Sequence, residues 1–63
     1  MSDEDEGIIV EFISIGNSVK VTAFDTVSLT EVSIVGSKRA SRKQLSDLAI
    51  RKLRYQLDKE RDA

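Results

Sequence analysis

Four basic side chains, Lys38, Arg39, Arg42 and Lys43, fall within one short stretch of this 63-residue sequence, and they are the group whose chemistry most directly names a ligand. Cations at this density attract phosphates and other polyanions. They also sit where a helix is expected to begin, so unpaired backbone N–H groups and the positive end of the helix dipole favour an anion at the same place. Bases in a first turn do nothing for the helix itself, which gives their presence some functional weight. The same run reads more readily as a solvated surface, or as a docking site for the acidic half of another chain.

The acids invite less. Glu11 and Glu31 fall on expected strands, pointing away from the core, and Asp25 sits at a turn, where such a side chain bonds nearby backbone. Asp47 and Asp58 are spaced to pair with Arg51 and Arg54 along a solvated helix face. The consecutive acids at positions 3 to 6 could collect a divalent cation weakly, but a run of neighbours is not a preorganised oxygen cage. The sequence holds no histidine and no cysteine. That removes disulfides, zinc sites of the usual kind, haem ligation and Cys-His or Ser-His nucleophiles. No catalytic residue, cofactor, metal site or small-molecule substrate is assigned, and the chain is read as a non-enzyme.

The elements that must carry these residues follow from pattern and turn chemistry. The run 8–15, IIVEFISI, has the β-branched density of a strand. Gly16-Asn17 is a two-residue hairpin signal with glycine at the first central position, as a type II′ turn requires. That turn fixes the register, with Ile15 facing Ser18, Phe12 facing Val21 and Ile9 facing Phe24. A third strand over 30–35 follows a four-residue loop at 26–29, which sets Ala23 opposite Val32 and Val21 opposite Ile34. Gly36 is expected to end it, and 37–40 to form a short basic connection. Ser41 with Gln44 three residues on reads as a capping box. From Arg42 to about Lys59, the residues Leu45, Leu48, Ala49, Leu53 and Leu57 recur at helical spacing, with Ile50 widening the stripe.

The fold class is therefore α+β, a three-stranded antiparallel meander followed by one C-terminal amphipathic helix. Its expected core is Val10, Phe12, Val21, Ala23, Val32, Ile34, Leu45, Ala49 and Leu53. Residues 1–7 are expected to form a disordered acidic tail, 8–59 the domain, and 60–63 a frayed end. No run is long enough to cross a bilayer, and the acidic start is the reverse of a basic signal peptide, so a cytoplasmic location is expected.

A sheet with one helix leaves a face over. Here it carries Ile9, Ile13, Phe24 and Val35, with Ile15 at its end, an apolar area on the order of several hundred Å², more than a monomer usually exposes. These residues are the candidate interface of a homodimer, with sheets stacked or edges paired. Glu11, Lys20 and Thr22 interrupt the patch, and an interrupted patch can also be ordinary exposed surface. Exchange of the helix between protomers across 36–40 is a second route to the same dimer. At 63 residues a single core is marginal, and oligomerisation is the remaining staple. Charge divides along the chain as well, with seven acids and one base in 1–36 and nine bases and four acids in 37–63.

Two resemblances add to this reading. The segment 37–45, SKRASRKQL, resembles the start of the last helix of double-stranded RNA-binding domains, which also follows three antiparallel strands and holds phosphates. The N-terminal helix of those domains has no counterpart here. Across 8–57, the segments Gly16-Asn17, Val19-Lys20-Val21-Thr22-Ala23 and Glu31-Val32-Ser33-Ile34-Val35-Gly36 carry most of a second resemblance. With Glu11-Phe12, Asp25 and Arg51-Lys52-Leu53-Arg54-Tyr55, they resemble a small alphaproteobacterial family of unknown function. That resemblance implies the same compact, dimeric domain and supplies no activity. It also implies a Thr-Gly turn where this chain has Ser28-Leu29. Some relatives carry the label serine hydroxymethyltransferase, which a chain this short cannot honour, since it cannot enclose pyridoxal phosphate, substrate and folate together.

Overall fold

The hairpin turn determines the rest of the sheet. In the computed structural model, which describes residues 7–62 and Asp62 by its backbone alone, Gly16 has a φ of +59° while Asn17 stays out of the left-handed region. One positive φ, at the first central residue, is the type II′ pattern. It joins β1 (Ile8–Ile15) to β2 (Ser18–Asp25), and a loop leads on to β3 (Glu31–Ser37) and then α1 (Arg42–Asp62). The sheet is antiparallel in the order β1-β2-β3, and both registers are those the turns dictate: Phe12 faces Val21, Ile9 faces Phe24, Ala23 faces Val32 and Val21 faces Ile34.

α1 crosses one face of this sheet and packs chiefly on β2 and β3. Val21, Ala23, Leu45, Ala49 and Leu53 are the fully buried core. Val10, Phe12, Val32 and Ile34 pack against that core but remain partly exposed, as do Ile8, Val19, Ala40 and Leu57. The expected core is thus reduced at the two edge strands, because one helix is too narrow to roof three strands. Leu48, expected in the buried stripe, is half exposed. Lys52, one turn further along the same flank, donates from Nζ to the Ser33 carbonyl on the outer edge of β3 at 2.9 Å, so that flank overhangs the sheet.

Gly36 does not end β3, which runs on to Ser37. A Cβ at Gly36 would collide with Cδ2 of Leu45. The glycine is therefore the seat of the first helical turn rather than a stop signal. The helix begins as expected: Gln44 N–H donates to Ser41 Oγ at 3.0 Å and Ser41 N–H to Gln44 Oε1 at 3.2 Å. It continues to Asp62, past the expected end near Lys59. Of the acidic tail expected over 1–7, residues 1–6 lie outside the described residues. Gly7 is tied in, its carbonyl accepting from the Thr26 N–H at 2.7 Å and the Thr26 hydroxyl at 2.9 Å.

Candidate functional site

Side chains alternate across a strand, so the residues that do not face α1 form the opposite face in four rows. From the hairpin turn outward these rows are Ile15-Ser18-Ser37, Ile13-Lys20-Val35, Glu11-Thr22-Ser33 and Ile9-Phe24-Glu31. Among the described residues nothing covers them. Ile9 is 56% exposed, Ile13 44%, Ile15 57% and Val35 71%. Phe24, on the central strand, is half-buried by its neighbours. The four candidate interface residues Ile9, Ile13, Phe24 and Val35 therefore share one face. Thr22, at its centre, is buried, and its hydroxyl is hydrogen-bonded to that of Ser33 at 2.9 Å. This pair gives the face a polar floor between two apolar rows.

Charge on this face is sparse. Glu11, Lys20 and Glu31 are its ionisable residues, and among the described residues no hydrogen bond or ion pair takes up any of their side chains. The ion pairs that do form lie on the helix. Lys43 bonds Asp47 at 3.1 Å and Arg61 bonds Asp58 at 2.6 Å, so neither aspartate pairs with the arginine expected for it. On a helix an aspartate has bases within reach on both sides, three or four residues away, and spacing alone does not choose between them. Both pairs are exposed and add little to stability.

The four clustered bases have different neighbours. Lys38 and Arg42 line a hollow of about 300 Å³ with Phe12, Ser14, Val19, Ala40 and Leu45. The Arg42 guanidinium carbon lies 4.6 Å from the centre of the Phe12 ring, a cation–π distance. Lys43 points elsewhere, to Asp47, and Arg39 is exposed, its backbone N–H bound to Ser37 Oγ at 3.0 Å. The capping box also consumes the Gln44 N–H, leaving the first-turn N–H groups of Arg42 and Lys43 for an anion. Tyr55 lies over the helix edge with Lys59 Nζ 5.6 Å from its ring centre.

Asp25 behaves as a turn residue. Its carboxylate accepts the Ser28 hydroxyl at 2.6 Å and the Ser28 N–H at 3.0 Å, and these bonds hold its pKa below the usual carboxylate value. The loop it anchors contains a feature that strand and helix patterns did not announce. Leu29 has a φ of +64°, where only glycine sits without strain. Ser28-Leu29 stands where the resemblance implied Thr-Gly, which was the available signal. Thr30 Oγ1 then donates to Glu60 Oε1 at 3.0 Å, docking the loop on the last turns of α1.

Among the described residues no group of three acidic side chains is placed to hold a metal ion, and no helix is long and apolar enough to cross a membrane. No curated protein and no solved structure matches the chain. A match over residues 5–61, nearly the whole sequence, shows that the chain belongs to the family described as Domain of unknown function (DUF6898).

Proposed function

We propose that this domain is a non-enzymatic homodimeric interaction module, and that the bare sheet face is where the second copy docks. The observation that carries the reading is the exposure of Ile9, Ile13, Ile15 and Val35 on one continuous face of a chain that is short of core. The face measures about 26 by 14 Å in projection from strand rise and spacing, roughly 360 Å² a side, so a self-interface falls below the usual size of stable specific ones and its affinity in a weak, reversible range. The connection between β3 and α1 is held by Lys38 N–H to Asn17 O at 3.3 Å and Ala40 N–H to Ser37 O at 3.1 Å. We place the module in a bacterium, following the resemblance of segments 16–23 and 31–36, and propose the cytoplasm as its compartment. Sedimentation velocity across a concentration series tests the reading, and a species of 7.0 kDa throughout overturns it.

A second reading is favoured by the hollow at the start of α1, where Lys38 and Arg42 come together beside an aromatic ring. It makes the domain a binder of nucleic acid or another polyanion, with Arg39 and Lys43 contributing from the rim. Fluorescence anisotropy with duplex RNA, duplex DNA and single strands at about 50 and 200 mM salt tests it, because phosphate contacts weaken steeply over that range. Absence of binding at low salt, or binding unchanged in Lys38→Glu with Arg42→Glu, removes it.

A further inference from the structure

We propose that the second copy docks about a two-fold axis running across the strands, midway between the Lys20 and Thr22 rows, so that each Lys20 reaches Glu11 of the other chain. This rests on the self-association reading above and adds its geometry and its specificity. Two axes in the plane of the face pass through its centre, one along β2 and one across the strands. They place different side chains against one another.

The axis along β2 keeps every row on itself. Lys20 then meets Lys20 and Phe24 meets Phe24, while the small Ser18 faces another Ser18. Two ammonium groups are driven together as they lose water, and the bulk is piled at one end with a gap at the other. The axis across the strands exchanges the rows instead. Phe24 lies over Ser18 of the second copy, Val35 over Ser33, Lys20 over Thr22 and Ile9 over Ile15. Large side chains on β2 and β3 then meet small ones, the condition for close packing between two pleated faces.

Charge points the same way. Lys20 and Glu11 are adjacent in row and strand, and neither side chain has an ion-pair partner among the described residues of its own chain. Row exchange sets Lys20 one strand, about 4.8 Å, to the side of Glu11 on a sheet about 10 Å away, a gap that a lysine and a glutamate side chain span together. The pair forms twice, once on each side of the axis. Glu31 falls opposite Ser37 at the end of the face, where it keeps its water. The face is therefore self-complementary in size over β2 and β3, and in sign through Lys20 and Glu11, while β1 sets Ile9 over Ile15 and Ile13 over Glu11.

Reciprocal charge reversal in the full chain tests this, read by sedimentation velocity from about 5 to 500 µM with far-UV circular dichroism for fold. The wild type is expected to dimerise, and Lys20→Glu or Glu11→Lys alone to weaken association at least tenfold, with the double reversal returning within about threefold of wild type. Ser18→Phe fills the place of the incoming Phe24 without altering charge and is expected to weaken association as much. Should either single reversal fail to fold, a folded and dimeric double reversal still reports the reciprocal pair. Single reversals that dimerise like the wild type, or a double reversal as weak as the singles, overturn the proposed axis and leave self-association standing. A wild type that is monomeric throughout overturns self-association and this inference with it.

Discussion

The two faces of this sheet are built from the same three strands, yet the helix side carries seven aliphatic residues to the other side's four, and they end in opposite states. On the helix side Val21 and Ala23 are fully buried, whereas Ile9, Ile13, Ile15 and Val35 on the other side are 44% to 71% exposed. The faces differ in their small residues as well. The covered face has Ala23 and Gly36, which let α1 come close and exclude water. The bare face has Ser18, Thr22, Ser33 and Ser37, which are as small but keep hydrogen-bonding groups. Small apolar residues suit permanent packing within a chain, and small polar ones suit a face that must be stable in water when alone.

Substitutions on the two sides should separate accordingly. Leu53→Ala removes the largest fully buried side chain, at a cost of about 3 to 4 kcal/mol, comparable with the whole stability expected of a chain this size. The variant should be largely unfolded at 25 °C by circular dichroism, and a cooperative wild-type-like urea transition would contradict the packing described. Gly36→Val pushes a side chain into Leu45 and should cost about 1 to 3 kcal/mol in urea unfolding, part of it recovered by adding Leu45→Ala. Leu29→Gly touches neither face. It should raise stability by roughly 1 kcal/mol, visible as a higher midpoint, because it relieves a left-handed leucine.

On the bare face, Ile13→Ser and Val35→Ser should each change the stability of the dilute chain by less than about 0.5 kcal/mol, as surface changes do. The same variants should abolish the concentration dependence of the melting temperature that mass action gives a dimer. A large loss in the dilute chain would show that this face is supported from within after all. The smallest effect belongs to Asp25. Its folded pKa is depressed, so its contribution is fully present above the unfolded value of about 3.9 and lost as pH falls through the folded value. Acid titration of stability below pH 4 should be shallower in Asp25→Asn than in the wild type.

How much of this was legible in the sequence depends on whether a local rule was sufficient. Gly16-Asn17 and the four-residue loop at 26–29 determined both registers, hence which side chains share the bare face. Ser41 and Gln44 determined where the helix starts. Lateral placement of the helix was not local: the stripe that includes Leu45 and Leu48 does not say which flank overhangs an edge, and Leu48 overhangs it. The role of Gly36 was hidden for a related reason. A glycine after a strand reads as a terminator until the helix that sits on it is known. For the basic cluster, proximity in sequence does not say which side chains share a hollow: Lys38 and Arg42 line one beside Phe12, while Lys43 bonds Asp47. The loop conformation at Leu29 escaped because leucine is not a residue from which a left-handed turn is read.

The bond from Lys52 to the Ser33 carbonyl bears on how far any assembly of this protein can grow. Head-to-tail addition of one sheet to the next joins the first strand of one copy to the third strand of its neighbour, and repeated without closure it produces a filament. That reaction needs the rim of β3 to be vacant. With an ammonium group seated on it, each new copy would have to displace a cation from a carbonyl before it could add, a common defence of natural strand edges. Growth by edge addition is thereby hindered at the β3 side of every molecule.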